Sequence, residues 1–287
     1  MKRHPLSGAP RDRAPSRREF LQTLGIAGGL APLLASSLLP GDHALGLQLY
    51  TVRDAAKADL ARTLDALAAI GYREVEFAGL HGHSASAVRQ MLDHAGLKAP
   101  GGHVSLEDLE QRFDQVAADA RTLGQRYVIV PSLDEQWRSV AGYTAVATAF
   151  NRLGRALRKQ GLRLGFHNHQ VEFAALPGGN TGYDLLLQHT EKDLVAFELD
   201  LFWARDGGAD SLDLFRRYRN RFRLVHIKDR AADGSQTTIG RGIMDWATLL
   251  AAAKRAGVRH WFIEQDDPPD PMGFAKESWE HLRTVEW

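Results

Sequence analysis

No cysteine occurs among the 287 residues, which excludes disulfides, thiolate metal sites and a cysteine nucleophile. Charge of one sign is not in excess either, since the formal net charge is +1. Residues 1–42 hold Lys2, Arg3, Arg11, Arg13, Arg17 and Arg18 against Asp12, Glu19 and Asp42, so the rest of the chain carries about −2. No basic face is advertised there for nucleic acid or anionic lipid. A G-x-G-x-x-G after the first strand-like run and a P-loop are both missing, which argues against a doubly wound nucleotide-binding sheet. What is present is ordinary globular composition, 44% hydrophobic and 25% charged, with enough apolar side chain for a sizeable core.

The N-terminal stretch reads Ser16-Arg17-Arg18-Glu19-Phe20-Leu21 and continues into an apolar run to Leu39 rich in Gly, Ala and Leu. It resembles a twin-arginine export signal. Gly25, Gly28, Gly29 and Pro32 suit a signal core better than a packed helix. No clean A-x-A site lies between Ala35 and Ala44, so an uncleaved membrane anchor stays open. The resemblance implies a periplasmic or extracytoplasmic protein, with residues 1–43 as signal and linker and 44–287 as one folded domain.

From Ala44 onward eight apolar, strand-like runs alternate with helical stretches: Leu45 to Tyr50, Glu74 to Phe77, Lys98 to Val104, Arg126 to Pro131, Arg163 to Asn168, Val195 to Phe202, Phe222 to Lys228 and His260 to Gln265. Leu106, Leu109, Phe113, Val116, Ala120 and Leu123 recur every three or four residues, as on one face of a helix. Helix starts are marked by Thr51 with Asp54, Ser105 with Asp108 and Thr181 with Asp184. Gly71, Gly96, Gly124, Gly161 and Gly257 each stand between a helix and the next strand, where a left-handed residue ends the helix. Eight units of roughly 30 residues with no linker between them predict a single (β/α)8 barrel.

Active sites of such barrels lie at the C-terminal ends of the strands. Strand side chains alternate, so His167 and His169, Glu198 and Asp200, His226 and Lys228, and Glu264 and Asp266 form same-face pairs on four successive strands. If those faces point inward, the carboxylates repel one another unless a cation neutralises them. Oxygen and imidazole donors without sulfur suit Mn, Mg, Co, Fe or Zn. Elsewhere the bland reading holds: Asp229 and Asp266 read as cap or salt-bridge residues, and His94, His189 and His281 on helices as hydrogen-bonded core residues. Gly240-Arg241-Gly242 reads as a loop shaper rather than a phosphate site, ahead of a helix starting at Asp245 and Trp246.

The ordered set F-H-N-H-x-x-E-F, F-E-L-D-x-x-W, V-H-I-K-D, I-G-x-G-x-x-D-W and I-E-Q-D, with the opening G-L-Q-L-Y-T-V-R-D, resembles the sugar phosphate isomerase/epimerase superfamily of xylose-isomerase-like TIM barrels. The likeness runs from Leu45 to the C-terminus. It implies a divalent metal ion held by Glu, Asp, His and Glu from four strand ends. Asp200, His226 and Glu264 match the last three positions. The first falls where this chain has Gly165, Phe166 and His167, so Glu172 just beyond the strand, or failing that His167, is expected to supply it. The resemblance further implies substrate-binding roles for Gln48, Glu76, His103, His167 and Lys228, and Trp203, standing where the family has a substrate-binding His, is expected either to stack its flat face on a sugar ring or to pack at the rim. Glu264, Glu172, His169 and Lys228 are the catalytic candidates.

The function so implied is metal-dependent sugar isomerisation or epimerisation, in which a base removes the proton next to a carbonyl to give an enediolate. The alternative is a lyase or dehydratase expelling a leaving group from a 3-keto-glycoside or related keto-sugar, because one proton abstraction serves all three outcomes. An endonuclease of the same superfamily is disfavoured by the missing basic groove. A non-catalytic, exported sugar-binding protein is the remaining reading. The expected partner is a small carbohydrate, with no nucleic acid, with membrane contact only through the signal, and with an oligomer left open.

Overall fold

The computed structural model describes residues 44–287; the expected export signal lies outside them. Eight parallel strands close into a barrel in which each strand pairs with its neighbours in sequence and the last returns to the first. They are β1 (Leu45–Gln48), β2 (Glu74–Phe77), β3 (Lys98–His103), β4 (Tyr127–Val130), β5 (Arg163–His167), β6 (Val195–Asp200), β7 (Phe222–Ile227) and β8 (His260–Ile263). Helices alternate with the strands, and the predicted (β/α)8 architecture is the observed one. No helix among the described residues is long and apolar enough to cross a membrane.

The helix stops lie where the glycines predict, with positive φ at Gly71, Gly96, Gly124, Gly161 and Gly257. Two of the three starts hold: Ser105 Oγ accepts from Asp108 N, and Thr181 and Asp184 form a reciprocal capping box. Thr51 does not cap. The chain turns from β1 directly into a 3-10 turn at Leu49–Val52, and the Thr51 hydroxyl instead accepts from Gln265 N at 3.1 Å, tying β1 to the end of β8. The periodic stretch after β3 is two helices, Leu106–Gln111 and Phe113–Leu123, broken at Arg112.

Apolar burial is divided between two places. A large annulus lies between strands and helices, and a small second cluster of Tyr127, Ile129, Ala196, Leu224 and Phe262 fills the barrel interior. Facing strands make room for it with glycine. A Cβ on Gly46 would come within 2.5 Å of the Phe262 ring, and on Gly165 within 2.7 Å of Ile129 Cγ1. Below this plug His260 Nδ1 meets Glu74 Oε2 at 2.9 Å.

Candidate active site and metal centre

Because strand side chains repeat every second residue, the interior positions two steps beyond the plug point the same way, one layer nearer the C-terminal ends. Gly46 gives way to Gln48, Gly101 to His103, Gly165 to His167, Ala196 to Glu198, Leu224 to His226 and Phe262 to Glu264. An apolar layer is thus followed at once by a polar one. The strands end one or two residues earlier than the apolar runs suggested: His103, His167 and Asp200 are the last residues of β3, β5 and β6. Phe202, expected in the strand, is helical because Asp200 Oδ1 accepts from Trp203 N at 2.9 Å and starts helix Leu201–Asp206.

Two groups of candidate ligand atoms, each gathered within 4.8 Å, occur among the described residues: His167, Asp200, His226 and Glu264, and Glu76, His103, Glu198 and His226. In the first, His226 Nδ1 lies 2.8 Å from Glu264 Oε2 and 4.0 Å from Asp200 Oδ2, and His167 Nε2 lies 3.6 Å from Asp200 Oδ2. His167 Nδ1 is 3.1 Å from the Pro131 carbonyl, which leaves Nε2 as the nitrogen aimed into the group. Asp200 is itself pinned by Asn168, whose side chain accepts from Asp200 N at 3.1 Å. In the second group, His226 Nε2 lies 2.8 Å from Glu76 Oε2 and 3.2 Å from Glu198 Oε2, while His103 Nε2 is 3.2 and 3.1 Å from the same two oxygens. Gln48 donates to Glu76 Oε2 at 2.8 Å and is held in that orientation by the Tyr50 N–H on its oxygen.

Asp200 Oδ2 and His167 Nε2 are buried and make no hydrogen bond, although Asp200 Oδ2 is ion-paired with Lys228 Nζ at 3.2 Å. Such groups are costly in a protein interior unless something binds them. Two carboxylates and two imidazoles from four successive strands, without sulfur, fit a divalent cation. The first group opens on a cavity of about 810 Å³ whose wall includes His103, His167, His169, Glu264 and Asp266, while Asp200 and His226 lie fully buried behind it.

Without a cation, the buried charges are balanced within the protein. Lys228 Nζ lies 3.2 Å from Asp200, 3.1 Å from Glu264 and 2.9 Å from Asp266. Burial opposes its charge, but those three carboxylates hold it protonated well above the usual lysine range, so it is a counter-charge and not a base. Burial likewise works against charge on Glu264 and Asp200, yet Lys228 and His226 hold both carboxyls below their ordinary values. His103 is desolvated too, but Glu76 and Glu198 lift it to about 9. His169 goes the other way: burial, then the neighbouring His167, lowers it to about 3. On the cavity wall, beside His167, His103 is therefore protonated and His169 neutral in the metal-free protein.

Glu172 is not brought to this centre. After His169 the chain enters the 3-10 turn Gln170–Phe173, and the Glu172 carboxylate folds back to accept from His169 N at 2.7 Å. It serves as a cap and belongs to neither ligand group; His167 occupies the corner expected of it. Trp203 stands 5.7 Å from the His169 ring and 5.2 Å from Lys228 Nζ, where it packs on site residues. Glu198 is a site residue that the motifs do not single out, although its place two residues before Asp200 puts both on one face.

Asp229 is structural: its carboxylate accepts from Gly240 N, Gly242 N, Met244 N and Trp246 Nε1. Amides of the Gly240-Arg241-Gly242 turn are thereby spent inside the protein rather than offered to a phosphate. Asp266 is a partner of Lys228 and Gln236. His94 and His189 are exposed and His281 is half-buried, so these three helix histidines are surface residues rather than core ones.

The family model described as xylose isomerase-like TIM barrel matches residues 52–285. The chain belongs to that family. An inosose dehydratase of Lacticaseibacillus casei is 23% identical over 270 residues, covering 77% of this chain and 88% of the relative. A sugar phosphate isomerase/epimerase structure from Parabacteroides distasonis is 26% identical with TM-score 0.73, covering 84% of this chain and 93% of that one. The fold is shared as well by an IOLI protein solved with a zinc atom, at 16% identity and TM-score 0.65, covering 85% and 99% of the two chains.

Proposed function

We propose that this protein is a divalent-metal-dependent lyase that eliminates water or an alcohol from a keto-sugar or keto-polyol. The observation that carries the reading is the buried His167, Asp200, His226 and Glu264 group opening on a cavity whose wall also presents His103 and His169, two imidazoles of opposite protonation. The relatives named inosose dehydratase support elimination over isomerisation.

His167, Asp200, His226 and Glu264 would hold the cation. Bound there, a divalent cation would act as a Lewis acid toward a substrate carbonyl and acidify the neighbouring C–H. His169, neutral at pH 7, takes that proton as general base. The released electron pair forms the C=C bond as the C–O bond at the β carbon breaks. His103, protonated through Glu76 and Glu198, gives its proton to the departing oxygen, so water or an alcohol leaves neutral. Two imidazoles whose surroundings drive them apart can thus divide the acid and base roles. Lys228 and Asp266 keep the charge of the pocket fixed while this happens.

Isomerisation or epimerisation would share the first proton transfer and differ only in returning the proton to a carbon; the Parabacteroides structure supports it as a second reading. Proton NMR in heavy water on the metal-loaded protein, with an inosose and with 3-keto-glycosides, separates the two. Release of water or alcohol with a new alkene signal is expected. Deuterium entering a substrate that keeps all its oxygens would establish the second reading, and no exchange with any substrate would overturn both. Location outside the cytoplasm is part of the proposal, supported by the Arg17-Arg18 motif.

A further inference from the structure

His226 belongs to both ligand groups, through different nitrogens. A neutral imidazole carries one proton and one lone pair, so it can bind a cation on one side only while donating a hydrogen bond on the other. The two sides are not equivalent. Nδ1 faces Glu264 and Asp200 beneath the cavity, whereas Nε2 faces Glu76 Oε2 at 2.8 Å and Glu198 Oε2 at 3.2 Å. The Oε2 atoms of this second group, which are the ones facing His226, are already engaged: Glu76 Oε2 also accepts from Gln48, and Glu198 Oε2 is 3.1 Å from His103, while the Oε1 atoms of both carboxylates make no hydrogen bond. Glu76, Glu198 and His226 are each fully buried.

We infer that Glu76 and Glu198 are positioning residues: they keep a proton on His226 Nε2 and thereby present Nδ1 to a single cation held with His167, Asp200 and Glu264. Glu76, Glu198, His103 and His226 are then a proton-bearing support of the metal centre and not a second metal site. A carboxylate behind a ligating imidazole fixes its tautomer and ring orientation and raises its basicity. Glu76 consequently has no substrate-binding role. This inference rests on the proposed metal centre.

The test uses Zn(II) as the probe, with histidine labelled by nitrogen-15 in the whole protein and His226 assigned by its absence in His226→Gln. On loading, one zinc per chain is expected, with Nδ1 moving to the shift of a ligating nitrogen and Nε2 retaining its proton. In Glu198→Gln and Glu76→Gln, zinc affinity should fall by about 10- to 100-fold, read by competition with a chelator. Two zinc ions per chain, loss of the Nε2 proton on loading, or wild-type affinity in both variants would each overturn the inference while leaving a metal centre standing. Absence of zinc binding to wild-type protein would instead sink the metal centre itself and the inference with it. Wild-type spectra decide the tautomer even if a variant fails to fold.

Discussion

Asp200 Oδ2 and His167 Nε2 face each other 3.6 Å apart in the buried site, and neither makes a hydrogen bond. Lys228 Nζ, 3.2 Å from the same Asp200 oxygen, compensates the carboxylate charge, but nothing in the protein satisfies His167 Nε2, which a cation beside the pair would do. Asp200→Asn and His167→Ala are therefore expected to lower Mn(II) or Zn(II) affinity by about a hundredfold or more, since each removes a ligand outright. Glu172→Gln should keep wild-type metal content and lose no more than about 1 kcal/mol of stability, because the Gln carbonyl can still accept the part-buried His169 N–H. Metal analysis of the purified variants with urea titration checks both; loss of metal in Glu172→Gln would return that residue to the ligand set.

Stability of the chelator-treated protein should depend on pH in a definite direction. Asp200 and Glu264 are held below their ordinary values, so their contribution is present above about pH 4 and lost as pH falls through the folded-state values. His103 is lifted to about 9, so its contribution is full below about pH 6.5 and declines as pH rises through 9. His169, lowered to about 3, adds a cost that grows as pH falls below about 6.5, so thermal midpoints of the metal-free protein should peak at about pH 6.5. A midpoint still climbing from pH 7 to pH 9 would contradict this balance of charges.

Metal affinity carries the opposite sign. His226 is desolvated, yet Glu198 and Glu264 hold it well above its usual value, so a cation arriving at neutral pH must displace a proton. Affinity should climb about tenfold per pH unit while one proton is released per ion bound. Calorimetry in two buffers of different ionisation heat counts that proton, and a count of zero would refute the ligand role of His226.

Lys228 is the only lysine or arginine among the described residues that sits against both Asp200 and Glu264. Lys228→Met should destabilise the metal-free protein by about 3 to 5 kcal/mol, the cost of leaving buried carboxylates unpaired. Added divalent cation should recover part of that loss, because it supplies the missing positive charge. Equal destabilisation with and without cation would place Lys228 outside the electrostatics of the centre.

Export is tested apart from catalysis. Arg17→Lys with Arg18→Lys should retain the protein in the cytoplasm of a host with a twin-arginine pathway, by cell fractionation. Unchanged distribution would reject the export reading.

Legibility in the sequence followed physical locality. The eight strands and the helix stops are short-range features, set by alternation and by glycines that take positive φ, and they were readable at Gly96 or Gly124 without knowing the fold. Strand alternation groups Asp200 with Glu198, His226 with Lys228 and Glu264 with Asp266, and the motif resemblance then singles out Asp200, His226 and Glu264 among them. Glu172 misled because its carboxylate turns back on its own backbone, a choice fixed by the 3-10 turn after His169 and not by spacing. Thr51 looked like a cap, but its hydroxyl is taken by β8, more than 200 residues away in the chain. The roles of Glu76 and Glu198 depend on which layer each side chain occupies, and alternation gives the face but not the layer.

The plug of Ile129, Leu224 and Phe262 seated against Gly46 and Gly165 turns the barrel into a vessel with one mouth. Asp200 and His226 lie at its bottom, fully buried beneath the cavity wall. Anything loaded there leaves by the way it entered. On the proposed function, occupancy would be sequential: the ion would settle first, the organic substrate would close the entrance above it, and a chelator would reach the ion only after that substrate had gone.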